Sequence, residues 1–165
     1  MYKIGDYIWY GKNGTCKVVD IYEPPRALKP GNYYKLEPVN APRCKLSVPV
    51  GLDDAIMRYI MDKETATKLL ASVSSITPYI MTDETARIER LQGGFIDGDH
   101  NAWIAFLKGI YAVKKQKEDI GKHLRPSEYD QVKKAQTLLA EEFTVAMGKP
   151  LDEVKKELVD ALQVN

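Results

Sequence analysis

The chain has 165 residues, with 24 basic and 23 acidic side chains and a formal charge of +1. That length accommodates one ordinary domain or two small ones, and the near-neutral total excludes a strongly basic protein that coats nucleic acid. A composition of 44% hydrophobic and 28% charged residues suits a folded chain and lacks the low-hydrophobicity signature of disorder.

The charge is unevenly distributed: residues 1–52 carry +4, 53–99 carry −4, 100–134 carry +4 and 135–165 carry −3. The first stretch also holds most of the glycine and proline punctuation, separating short runs rich in aromatic and β-branched residues at Asp6–Tyr10, Thr15–Tyr22, Tyr33–Glu37 and Cys44–Val48. Alternation puts Ile8 and Tyr10 on one face of the first strand and Tyr7 and Trp9 on the other. Gly11-Lys12-Asn13-Gly14 lies between two strands and lacks the Lys-Ser/Thr ending of a phosphate loop, so it is read as a hairpin turn. A small antiparallel barrel or strongly bent sheet over residues 1–52 follows. Cys16 and Cys44 fall within β-like runs and are read as packed, reduced thiols.

After Gly51 the apolar period lengthens from two to about 3.6, which predicts an all-α domain of about five helices over 53–165. The first covers Lys63–Val73, with Ala66, Leu69, Leu70 and Val73 in one stripe. The second begins near Thr82 as N-cap and ends by Gly93-Gly94. The third is capped by Asp99 and carries Trp103, Phe106, Leu107, Ile110 and Tyr111 at core-facing spacing. The fourth runs from Pro126 to Met147, with a stripe of Tyr129, Val132, Leu139 and Phe143 and Gly148 as its stop. A fifth spans Leu151–Leu162. The fold class is therefore α+β in two domains, 1–52 and 53–165.

No apolar run approaches the roughly 18 residues needed to span a bilayer, and Met1–Asp6 has no leader-like apolar segment, so a cytoplasmic protein without membrane contact is expected. The second basic stretch is concentrated near the turn between the third and fourth helices: Lys108, Lys114, Lys115, Lys117, Lys122, Arg125, Lys133 and Lys134, with His123 among them. These residues form either a phosphate-attracting surface or a solvated hairpin tip.

The succession Tyr2-Lys3-Ile4-Gly5-Asp6-Tyr7-Ile8-Trp9-Tyr10, Gly14, Val18-Val19-Asp20-Ile21, Tyr33-Tyr34-Lys35-Leu36 and Leu46-Ser47-Val48-Pro49-Val50 resembles the N-terminal module of the CarD/CdnL family of bacterial transcription regulators. Gly98-Asp99 before the Trp103 helix, then Leu124, Ser127-Glu128, Ala135, Leu139 and Glu142, resemble the family's helical domain in order and spacing. The resemblance implies a Tudor-like module that binds the β subunit of RNA polymerase. It also implies a helical domain that meets promoter DNA weakly, with polymerase holding it in place, and stabilises or modulates the open complex. By position, Tyr22, Arg26, Arg43, Lys45 and Ser47 would lie on the polymerase-binding edge formed by the Val18–Tyr22 and Arg43–Val48 strands, with Arg26, Arg43 and Lys45 replacing family arginines where Pro24 and Ser47 stand. Lys108, Lys114, Lys115, Lys117, Lys122, Arg125, Lys133 and Lys134 would be the DNA-binding set. The family often carries a wedge tryptophan at the start of the second helix of this domain; Glu84 stands there, so either the wedge is absent or Tyr79 or Phe95 takes its place. Trp103, on a strong apolar stripe, is read as core.

The resemblance implies no catalysis and no cofactor, and a monomer is expected. From the residues alone, Asp97-Gly98-Asp99-His100 is turn and cap chemistry rather than a metal site, since no second ligand cluster accompanies it. The abundant tyrosines of the first domain fit either a core or an aromatic cage for a methylated ammonium. The alternative function is an adaptor of the same architecture that binds polymerase or another protein without touching DNA.

Overall fold

The computed structural model describes residues 1–51 and 56–163. The chain divides into two compact units, Met1–Ile60 and Met61–Asn165. The expected boundary at 52/53 lies outside the described residues; the sheet in fact continues to residue 59.

Five strands build the first unit: β1 (Tyr7–Tyr10), β2 (Gly14–Tyr22), β3 (Tyr33–Pro38), β4 (Leu46–Pro49) and β5 (Met57–Tyr59), in the antiparallel order β4-β3-β2-β1-β5. A single 3-10 turn at Gly11–Asn13 joins β1 to β2, with positive φ at Gly11 and Gly14, as a hairpin turn requires. One face packs Ile8, Cys16, Val18, Tyr34, Leu36, Val48 and Met57 into the core, with Tyr10 partly buried against it. Trp9 points the other way, as alternation predicts, yet is also buried: its indole Nε1–H donates to the Gly11 carbonyl at 2.9 Å, and the Arg58 guanidinium covers its ring at 5.0 Å. β5 went unpredicted because three residues carry no periodic signal. It forms where β1 would otherwise present an open edge, pairing Ile8 with Tyr59 and Tyr10 with Met57.

Between β2 and β3 the register shifts: Val18 pairs with Leu36 but Asp20 with Lys35, leaving Val19 as an extra residue. This bulge bends the sheet and resets the alternation, so that Ile21 packs at the core and Tyr22 opposes Tyr33 on the outer face. Cys16 is buried as expected. Cys44 is exposed, and its amide donates to the Ala41 carbonyl in a turn, so β4 begins only at Leu46. Both cysteines are free thiols.

The second unit contains α1 (Lys63–Ser72), α2 (Glu84–Gly93), α3 (His100–Asp119), α4 (Pro126–Met147) and α5 (Leu151–Leu162), five α-helices among the described residues. Local signals set their ends. Asp62 accepts from the Thr65 amide at 2.7 Å and Asp99 from the Ala102 amide at 3.0 Å; Pro126 occupies the first turn of α4 and left-handed Gly148 closes it. The cap of α2 is Asp83, bonded to the Ala86 amide, rather than Thr82. Trp103, Phe106, Leu107 and Ile110 of α3 are buried, as are Val132, Leu139 and Phe143 of α4. Burial of each such large apolar side chain contributes about 1.5–3 kcal/mol. Tyr129 leaves the expected stripe: it is exposed, and its ring centre lies 5.7 Å from the Lys114 ammonium and 4.7 Å from that of Lys133. No described helix is long and apolar enough to cross a membrane.

Candidate interaction edge and basic hairpin

The outer face of the β unit is polar because strand alternation sends every second side chain away from the core. Tyr22, Tyr33, Lys35, Glu37 and Ser47 share it, as the pairs Tyr22 with Tyr33 and Lys35 with Ser47 require. Tyr22 and Ser47 reach across β3 to share a 2.5 Å hydrogen bond between their hydroxyls, and the Lys35 ammonium sits 4.9 Å from the Tyr22 ring centre. Lys45, just before β4, bonds to the Glu37 carboxylate and to the Pro42 carbonyl at 2.7 Å. Arg26, in the turn after β2, and Arg43, in the connection to β4, are exposed and carry no ion pair among the described residues.

Of the five residues assigned to the edge, the structure therefore joins Tyr22 to Ser47 directly and ties Lys45 to β3. Arg26 and Arg43 stay on separate connections. One expectation is corrected: the Val18–Tyr22 strand is no edge, because β2 is enclosed between β1 and β3, and β4 is the outermost strand on that side. Lys35 and Glu37 were missed, although the strict alternation of Tyr33-Tyr34-Lys35-Leu36-Glu37-Pro38 marks them as partners on the face of Tyr22.

In the helical unit, Lys108 departs furthest from expectation. It is 2% exposed, and its ammonium lies 2.8, 3.0 and 2.5 Å from the carbonyls of Val73, Ser74 and Ile76. It thus caps the 3-10 turn that follows α1 and does not belong to a DNA-binding surface. Its position on α3, one residue beyond Leu107 and two before Ile110, turns it toward α1, and burial holds its pKa below the ordinary lysine value.

The remaining cations fall into two groups. Lys117 and Arg125 both meet Glu84, at 3.4 and 2.5 Å, while Lys114 pairs with Glu118 at 2.7 Å and Lys133 with Asp130 at 3.5 Å. Lys115, Lys122 and Lys134 are exposed and carry no ion pair among the described residues. Glu84 is thus an internal counter-ion of the hairpin. On the same helix, the Arg87 guanidinium makes a buried bidentate contact with Glu128 of α4 at 2.7 and 2.9 Å.

Of the two aromatics considered as wedge replacements, Phe95 is 3% exposed and stacks on Trp103 with an interplanar angle of 7°, which makes it core. Tyr79 is 54% exposed. Its backbone is held down, since its amide donates to the Ala105 carbonyl at 2.9 Å and its own carbonyl rests on Gly109 of α3. Asp97 and Asp99 are occupied by the turn and the cap, and His100 bonds Glu142 at 2.9 Å through Nε2.

The fold and its surfaces define a two-part protein in which a small antiparallel sheet exposes a polar face and has β4 as an outermost strand among the described residues, followed by a helical domain. Residues 2–60 match the family model of the CarD-like/TRCF RID domain, which supports a general transcription-related protein-interaction role for this segment. The match ends where the first compact unit ends, at residue 60. No curated protein matches the chain.

Proposed function

We propose that the protein is a CarD/CdnL-like transcription regulator, a cytoplasmic binding protein without catalysis that docks on the β subunit of RNA polymerase through the β4 edge of its N-terminal unit. The family match over residues 2–60 carries this reading. An outermost strand can pair with a partner's strand through backbone hydrogen bonds, while the side chains beside it select the partner. Here Tyr22, Ser47 and Lys45 supply a fixed polar face and Arg26 and Arg43 supply uncompensated positive charge, which favours an acidic partner surface. The helical unit, in this reading, approaches promoter DNA near the melted region and modulates the open complex. Lys115, Lys122 and Lys134 are its primary phosphate contacts, with Lys114, Lys117, Arg125 and Lys133 available after exchange of their carboxylate partners.

Co-purification with RNA polymerase tests the first step: Arg26→Glu, Arg43→Glu and Lys45→Glu together should abolish retention, and unchanged retention would remove the edge assignment. A second reading, an adaptor with no DNA contact, is favoured by the internal neutralisation of Lys117 and Arg125 by Glu84. Promoter footprinting with polymerase separates the two. Removing the charges of Lys115, Lys122 and Lys134 should shrink the footprint and shorten the open-complex lifetime if DNA is contacted, and change neither if it is not.

A further inference from the structure

One concentration of donors in the helical unit extends beyond the hairpin reading, which uses only its Lys114 and Lys133. A cavity of about 290 Å³ lies between α3, α4 and α5, lined by Tyr111, Lys114, Tyr129, Lys133, Gln136 and Lys155. Three helices each bring at least one ammonium group to it, and none of its lining residues is acidic. The carboxylates that pair Lys114 and Lys133, Glu118 and Asp130, have 44% and 73% of their side chains exposed and stand outside the lining. Lys155 has no ion pair among the described residues.

The polar groups between these lysines face the same way chemically. Gln136, 3% exposed, donates from Nε2 to the Tyr111 hydroxyl oxygen, which leaves the Tyr111 O–H as a donor. Burial raises the Tyr111 pKa above its ordinary value, so the phenol keeps that proton at neutral pH. A cavity lined by three lysines, two of them paired with exposed carboxylates outside the lining, and by a phenolic donor favours a multiply charged oxyanion, and phosphate offers both the charge and the several acceptor oxygens to match. Its volume lies at the lower limit of small-molecule sites, roughly 300–1,000 Å³, which suits one or two phosphoryl groups on a compact molecule. A duplex, convex and rigid, brings its phosphates to the exposed Lys133 but does not follow the cavity inward to buried Gln136.

We propose that this cavity is a binding site for a small phosphorylated molecule, whose phosphoryl group is held by Lys114, Lys133, Lys155 and the Tyr111 hydroxyl. The site does not rest on polymerase docking; it shares Lys114 and Lys133 with the hairpin surface and adds Lys155 and Tyr111, which that surface does not use.

The test is calorimetric titration of the full chain with inorganic pyrophosphate and with adenosine monophosphate at constant ionic strength. Saturable one-to-one binding is expected, weakened roughly tenfold or more by Lys155→Glu and unchanged by Lys68→Glu on α1, an exposed lysine outside the cavity. Unaltered thermal unfolding of the Lys155 variant confirms its fold, and Lys155→Gln serves in its place if the charge reversal perturbs folding. A titration with duplex DNA under the same conditions identifies the source of the phosphate. Equal weakening of pyrophosphate binding by the Lys155 and Lys68 variants, or binding of duplex alone with no saturable response to either small probe, would overturn the proposal.

Discussion

Replacing Arg87 by methionine should weaken the helical unit more than any change on its surface. The Arg87 and Glu128 side chains are 1% and 0% exposed, and two parallel hydrogen bonds of 2.7 and 2.9 Å join them. The same guanidinium donates to the carbonyls of Met81 at 3.1 Å and Thr82 at 3.3 Å, so it also fixes the approach to α2. The hydrogen bond to Glu128 raises the Arg87 pKa above its ordinary value, and the guanidinium stays charged throughout the accessible pH range. In Arg87→Met the carboxylate of Glu128 remains buried without its counter-ion, a loss of about 3–5 kcal/mol for pairs of this kind. Replacing both partners, Arg87→Met with Glu128→Met, removes the stranded charge and should recover most of that loss. For a unit of this size each kcal/mol displaces the thermal midpoint by about 4–8 °C, so the single variant should melt more than about 10 °C below the parent. Far-ultraviolet circular dichroism, dominated by the five helices, reads the transition. Equal midpoints for the single and double variants, or a single-variant shift below about 3 °C, would refute the claim that an unpaired buried charge sets the cost.

Glu84→Gln should release Lys117 and Arg125 toward phosphates, steepening the dependence of log affinity for duplex DNA on log salt concentration by about 0.9 to 1.8; parallel salt plots for variant and parent would show that neither cation lies near the DNA. Lys108→Met should lower stability by about 1–3 kcal/mol, since three carbonyls lose their charged donor, while duplex affinity at fixed salt stays unchanged; the reverse pattern would return Lys108 to the DNA surface. Gly109→Ala would place a methyl carbon 1.8 Å from the Tyr79 carbonyl oxygen, so the segment must lift from α3. The expected cost is about 1–3 kcal/mol, accompanied by faster hydrogen exchange at the Tyr79 amide, and unaltered exchange would count against the close approach.

The parts of the fold that were legible in the sequence are those governed by neighbours along the chain. Asp99, Pro126 and Gly148 act on backbone groups within one turn of themselves, so the start of α3 and both ends of α4 could be read directly. The α2 cap was displaced by one residue because Thr82 and Asp83 are both competent caps and only the path of the preceding loop selects between them. β5 and the bulge at Val19 were not legible. The first depends on the open edge of β1, and the second on the register that β3 imposes on β2. At the candidate site, Tyr22 and Ser47 were identified by position, but their hydrogen bond exists only because the bulge turns Tyr22 to the outer face.

By itself, the sequence determined the α+β order, the start of α3, both ends of α4 and α5, the location of the basic stretches and the resemblance that the match over residues 2–60 supports. Tertiary structure decided which of those charges are available. Lys108 was removed from the basic surface by carbonyls some 35 residues away, and Lys117 and Arg125 were neutralised by a carboxylate on another helix. Lys155, outside the basic stretch, was brought beside Lys114 and Lys133. A formal charge is a property of a residue, whereas its availability depends on the neighbours that folding places within a few ångströms of it, and those neighbours lie far away in the chain.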